Sequence, residues 1–259
     1  MVKVKLSLLK ISVIFFLFAS QINSSEELST KTSIFDNENQ KHLLQIEIQR
    51  FILENPEIII HAIELYQQKK VQETIEAEMQ VLKSKKDEIL NDGYSFVGGN
   101  ETGDIAIIEF VDYRCGYCKK SHDIIWSIVK NNHDVKYIIK EFPILGSQSL
   151  LAAQALLSVL LKHPNEVYKT FSDTLMNHKG SITKDILKSF AQKAGAEVSD
   201  LESTMNSQEI NDMIAKNASL AETLQIRGTP TFILGNQIIR GFISKDDLQQ
   251  LIEIARKQL

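Results

Sequence analysis

Cysteine is nearly absent from this 259-residue chain: there are two, standing together as Cys115-Gly116-Tyr117-Cys118. With no second pair there is no disulfide framework to hold a fold together. A bridge across two intervening residues closes a tiny loop and removes little unfolded-state entropy. The pair is therefore read as chemistry, not as scaffolding. The chain also lacks an excess of positive charge, with 29 basic against 33 acidic residues and a net charge of −4. No Lys/Arg run forms an electrostatic footprint for nucleic acid, and that class is excluded. Long apolar runs are missing too. The best stretch, Leu6 to Ala19, is interrupted by Lys10 and serines and falls short of the about 20 residues a comfortable membrane span needs. Low-complexity tracts and internal repeats are absent. Proline is scarce, at four residues.

What stands at the N-terminus is a basic start (Lys3, Lys5), the short apolar stretch, and then small polar residues, Ser20 to Ser25. That order is the pattern of a secretory signal. A cleavable signal over residues 1–24 is expected; an uncleaved anchor is the alternative, and the lack of a nearby cysteine excludes a lipoprotein. Removing those residues takes three lysines and no acid, leaving a more acidic exported chain.

Residues 25–39 are polar and aperiodic. A helical pattern begins at Gln40 and restarts at Asn55-Pro56-Glu57, with Asn as N-cap and Pro at the first helical position. No Gly or Pro follows until past Leu90, and Val71, Ile75, Met79 and Leu82 recur at helical steps. Residues 25–91 thus read as a helical extension, either a stalk that joins copies into a homo-oligomer through residues 40–90 or a helix lying along its own domain. Asp92-Gly93 ends it, and Gly98-Gly99-Asn100 with Thr102-Gly103 reads as turn chemistry. Asp104 to Asp112 is a nearly continuous apolar run, as expected for a buried parallel strand that leads straight into the cysteines. A helix over Lys119–Lys130, a strand over Val135–Phe142, and a stretch of about four helices within 147–224 follow. Thr231 to Arg240 reads as a hairpin turning at Gly235-Asn236. Ser244 to Asp247 has the form of a capping box opening a last helix, Lys245–Lys257. The fold class is α/β, a βαβ framework carrying an inserted helical subdomain over residues 92–259.

A C-x-x-C between a buried strand and a helix puts its first sulfur at the helix N-terminus, where free N–H groups and the macrodipole favour negative charge. That lowers the thiol pKa and favours the thiolate. Cys115 is the candidate nucleophile, and Cys118, one turn later and less accessible, would resolve the mixed disulfide. Gly116 would leave Cys115 open to solvent, and Tyr117 would wall the opening. Glu109, six residues before Cys115, and Lys140 on the next strand each interrupt an apolar run. A buried carboxylate could take and return protons during exchange, with the lysine holding its charge; strand alternation could equally point either to water. Chelation stays open as an alternative: Cys115, Cys118 and His122 offer at most three zinc ligands, and two thiolates could take copper.

The run from Glu109 through Cys118, then Gly228-Thr229-Pro230-Thr231-Phe232 with helices between, resembles the DsbA family of bacterial periplasmic disulfide oxidoreductases over residues 95–259. The resemblance implies a thioredoxin fold, Cys115 as nucleophile, a cis Pro230, and Thr229 presenting backbone to an extended client as a short β-addition. It implies no cofactor and no metal. It also implies a periplasmic location, exported client proteins, and a membrane redox partner of the DsbB or DsbD type. The extension, with Leu53-Glu54-Asn55-Pro56-Glu57, is similar to that of the ScsC-like branch. Gly116-Tyr117 and Thr229 differ from the Pro-His and valine of the founding oxidase and are similar to the DsbC isomerases and ScsC. A less oxidising site is expected, and disulfide formation, isomerisation and reduction all remain in view.

Overall fold

The computed structural model describes residues 37–257. The expected signal over residues 1–24 lies outside them. Two compact units divide the chain after Ile63.

The first unit holds α1 (Glu38–Glu54) and the opening of α2 (Glu57–Ser84). Asn37 caps α1, its side chain accepting from the N–H groups of Asn39 and Gln40. Asn55 was expected to cap the next helix, but its amide instead donates backwards to the Phe51 carbonyl and closes α1. The restart at Pro56 then needs no side-chain cap. Helix α1 buries none of its residues, and Leu43, Ile46, Phe51 and Leu53 are all exposed.

The second unit is built on a five-stranded sheet in the order β1-β3-β2-β4-β5. Its strands are β1 (Phe96–Gly99), β2 (Ile105–Val111), β3 (Val135–Glu141), β4 (Thr231–Leu234) and β5 (Gln237–Arg240). Only β2 and β3 run parallel, joined by α4 (Gly116–Asn131). That crossover is the βαβ unit expected from the apolar runs. Successive side chains on a strand face opposite sides, and both central strands are buried on both. Ile105, Ile107 and Val111 pack with Ile125 and Ile128 of α4 and with Leu248 and Ile252 of α10 (Lys245–Arg256). Ile108, Phe110 and Ile138 pack on the other side with Leu82, with Ile89 of α3 (Lys86–Leu90), and with Leu220 of α9 (Gln208–Thr223). The expected continuous helix to Leu90 breaks at Lys85, giving α2 and α3.

Two elements differ from the sequence reading. Gly98-Gly99, read as a turn, belongs to β1, which pairs antiparallel with β3. A Cβ on Gly98 would stand 2.7 Å from Trp126, and one on Gly99 would stand 2.6 Å from the Val135 carbonyl oxygen, at φ +75°. The glycines are there because helix α4 and the neighbouring strand press close. The inserted subdomain has five helices rather than about four: α5 (Ser147–Lys162), α6 (Asn165–Asn177), α7 (Lys184–Ala194), α8 (Val198–Thr204) and α9. The extra one, α8, is a two-turn piece without a side-chain N-cap bond, so it left no start signal.

Candidate active site

Strand β2 delivers the chain to a turn that Asp112 organises. Its buried carboxylate accepts from the N–H groups of Arg114 (2.7 Å), Ile144 (2.9 Å) and Leu145 (3.0 Å) and from the Ser149 hydroxyl (2.8 Å). The Cys115 N–H then bonds to the Asp112 carbonyl at 3.0 Å. One buried acid thus ties the turns after β2 and β3 to the start of α5. Sequence reasoning passed it over as a strand end, although an Asp opening a turn is a known signal.

Cys115 is the N-cap of α4. Its thiol donates to the carbonyl of Thr229 at 3.1 Å, across a Thr229-Pro230 peptide bond that is cis. Residues 114 positions apart in the chain meet at one sulfur. The Cys115 thiol is pulled down to about 5, first by the Cys118 thiol donating to it, against the cost of burial, and then by Thr229 and the backbone N–H groups of Cys118 and Tyr117. Burial, Cys115 and Glu109 push Cys118 far the other way. One sulfur is a ready thiolate near neutral pH and the other a held thiol. Both are free cysteines. Cys115 is less open than expected, at 7% exposure, and Cys118 is wholly buried at 0%. Gly116 has nothing within 4 Å of where a Cβ would stand, and neither has Gly228 on the opposite side. Neither glycine is crowded, and the fold itself does not demand glycine at either position. Tyr117 is exposed at 62% and lies near Phe242, ring centres 6.4 Å apart.

Glu109 lies on the α4 side of the sheet, buried at 2% exposure. Tyr137 donates its hydroxyl to one carboxyl oxygen, and the other oxygen has no partner. Burial first, opposed by Tyr137 and assisted by the Cys115 thiolate, pushes this carboxyl up to about 8. Near neutral pH it therefore carries a proton beside two sulfurs.

Lys140 does not join it. The register pairs Glu109 with Ile139 and Phe110 with Lys140, so the lysine emerges on the far face. There its ammonium, at 0% exposure, donates to the Glu88 carbonyl at 2.8 Å and pairs with Asp92. A catalytic role beside Glu109 is corrected by that one-residue offset. His122, the third conceivable zinc ligand, is buried and engaged by Asp173 at 2.8 Å. Among the described residues no three metal-binding side chains cluster.

A second buried acid escaped the sequence reading. Glu141 accepts from Tyr113 (3.1 Å) and Tyr168 (2.7 Å), and burial pushes its carboxyl up to about 8. It anchors Tyr113, two residues before Cys115, against the helical subdomain. Its strand neighbour Lys140 is also charged, so alternation alone could not say which of the two faced the sulfurs.

A parallel βαβ unit opening on an acidified N-cap thiol, a buried resolving thiol and the Thr229 carbonyl before Pro230 define a thiol–disulfide oxidoreductase of the thioredoxin superfamily. Comparison with known proteins agrees. A family model described as thioredoxin matches residues 91–254, more than half of the chain. Disulfide bond formation protein D of Bacillus subtilis is 23% identical over 164 residues, 60% of this chain and 74% of that protein. Thiol:disulfide interchange protein DsbA of Bordetella parapertussis is 25% identical over 138 residues, 52% of this chain and just under two thirds (65%) of that protein. The crystal structure of Proteus mirabilis ScsC in a transitional conformation superposes with a TM-score of 0.64 at 25% identity, covering 86% of this chain and all of that one. The chain belongs to the thioredoxin family, within it to the DsbA-type protein-disulfide oxidoreductases, and there it is ScsC-like.

Proposed function

We propose that the chain forms disulfide bonds in exported proteins of a bacterial periplasm, reached through a signal in residues 1–24. The observation that carries this is the pairing of Cys115, held near 5, with a buried, strongly protonated Cys118. A stabilised thiolate makes the dithiol form favourable, so the disulfide form readily gives its bond away. A client thiolate attacks Cys115 Sγ, and the Cys115–Cys118 bond breaks. Cys118 leaves as a thiolate and takes a proton, which the neutral Glu109 carboxyl is placed to give. A second client thiol attacks its own mixed-disulfide sulfur, releasing the oxidised client and the Cys115 thiolate. Thr229 and Pro230 hold the extended client, with Gly116 and Gly228 leaving room and Tyr117 against its side chains. A membrane redox partner, of DsbB or DsbD type, resets the pair. Among the described residues no helix is long and apolar enough to cross a membrane, which fits a separate partner in that role.

One observation favours a second reading, isomerisation or reduction. The unburied α1 exposes Leu43, Ile46, Phe51 and Leu53, and exposed apolar surface of that kind marks association. A homo-oligomer built through residues 40–90 would set several sites around one client. The reduction potential and the resting state in the cell decide direction: an oxidase rests as a disulfide, an isomerase as a dithiol. The shared chemistry is tested by Cys118→Ala, which should accumulate mixed disulfides between Cys115 and client proteins. A variant that traps none would remove the exchange reading.

A further inference from the structure

Positive charge gathers around the reacting sulfur of a chain whose net charge is −4. Arg114 donates to the Gly180 carbonyl at 3.3 Å, Lys119 donates to the His178 carbonyl, and Lys120 lies 4.5 Å over the Phe242 ring. Among the described residues none of these three cations has a carboxylate partner. Asp123, one turn further along α4, is exposed and forms no ion pair with them.

The fourth cation is Arg227, two residues before Thr229. It is exposed and makes no hydrogen bond or ion pair among the described residues. It lines a cleft of about 510 Å³ together with Gln225, Gly228, Thr229, Glu78 and Arg240. The cleft's other charges cancel, since Arg240 pairs with Glu78 at 2.8 Å. Its net charge is therefore the free guanidinium of Arg227. The cleft shares Thr229 with the reaction centre, where Cys115 Sγ reaches the Thr229 carbonyl at 3.1 Å. Nothing stands within 4 Å of a Cβ built on Gly228, so no side chain crowds the backbone next to Thr229.

An extended peptide advances about 3.3 Å per residue. A client joined to Cys115 and running beside Thr229 thus brings its flanking side chains, one or two positions from its cysteine, into the cleft. A guanidinium with no other partner is suited to a carboxylate, which it can grip with two parallel bonds. We propose that Arg227 is a specificity-determining residue and that the cleft selects client segments with Asp or Glu within two residues of the reacting cysteine. The proposal rests on the thiol–disulfide exchange described above and adds the class of client. Attraction is local, because the negative chain as a whole does not draw acidic partners from a distance.

The test uses the full chain in its oxidised form and short peptides with one cysteine flanked by Glu, Gln or Lys. Two peptide thiols and the Cys115–Cys118 disulfide give one peptide disulfide and the protein dithiol, so atoms and electrons balance without a further reagent. Rates are taken per peptide thiolate, since a flanking charge shifts the peptide's own thiol. The readout is the ratio of the Glu-peptide rate to the Lys-peptide rate within each protein. An exposed ion pair changes such rates by about two- to fivefold. The parent should prefer the Glu peptide by at least that much at low ionic strength, with the preference fading in high salt. Arg227→Gln should lower the ratio about threefold, and Arg227→Glu should lower it further. A ratio near one in the parent, or one that neither variant moves, overturns the proposal. Failure of the parent to react even with the Gln peptide overturns the exchange reading, and the proposal with it.

Discussion

Thr229 contributes to the reacting sulfur twice. Its carbonyl accepts a hydrogen bond from the Cys115 thiol, and its side chain helps hold the thiolate. The sequence reading expected a weaker oxidant because no histidine lies between the cysteines. The Cys118 thiol and Thr229 supply donors in its place. Thr229→Val should therefore raise the Cys115 pKa by about one unit, the scale on which one lost donor acts, as followed by thiolate absorbance against pH. The same sulfur sets a stability difference between redox forms. Its pKa falls from 9.0 to about 5 on folding, so the reduced form's gain is complete above pH 9 and is lost as pH drops through 5. At pH 7, midway between the two values, about half of that gain is present. Denaturation midpoints should show the reduced form more stable than the oxidised at neutral pH, with the gap closing towards pH 5. Glu109 acts with the opposite sign, its carboxyl raised from 4.5 to about 8. It costs stability increasingly as pH climbs from 4.5 to 8. Glu109→Gln should gain over the parent through that window, by roughly 1–3 kcal/mol at pH 7. It should also slow exchange by about a hundredfold, the low end for a lost proton donor. At this scale Cys115 and Cys118 were legible because their isolation left them no structural use. Asp112 and Glu141 were not, since apart from the Arg114 N–H their partners (Ile144, Leu145 and Ser149 for the one, Tyr113 and Tyr168 for the other) lie far away in the sequence.

Strands β2 and β3 were legible as apolar runs, and the hairpin as Gly235-Asn236 between two of them. β1 was hidden because its glycines answer to the bulk of Trp126 and Val129 on α4, a demand no local pattern displays. The same limit applied to Lys140, whose face depends on register with β2. Its pairing makes a prediction at the scale of the element. Burial lowers the Lys140 ammonium, while the Asp92 carboxyl is lowered by Lys140 in spite of its own burial. Removing one partner of a buried pair strands the other. Asp92→Ala should cost about 3–5 kcal/mol, whereas Lys140→Met should cost less, because the Asp92 carboxylate it leaves behind still accepts from the Tyr94 and Ser95 N–H groups and the Ser95 hydroxyl. Thermal melts measure both. Peptide exchange by Lys140→Met should match the parent; a large loss would restore Lys140 to the chemistry.

Over the whole molecule, the exposed apolar residues of α1 and the buried Leu82 and Ile89 assign different duties to the two ends of one helical run. Removing residues up to 63 takes away no described core side chain, since α1 buries none and α2 buries only Leu82. Light scattering on that shortened chain should give a monomer where the full chain gives an oligomer, with a melting midpoint within a few degrees. An unchanged mass would dismiss the stalk. A deletion running on to residue 90 would test something else, because it strips Leu82 and Ile89 from beneath the sheet.

The Lys140 clasp also says where an independent catalytic fragment can begin. The family likeness starts at residue 91, yet the ammonium's second acceptor is the carbonyl of Glu88. A gene trimmed to the likeness would leave a buried cation leaning on a carboxylate at a fraying chain end. A well-behaved version should reach back past Leu82, into the helical arm that precedes the family match.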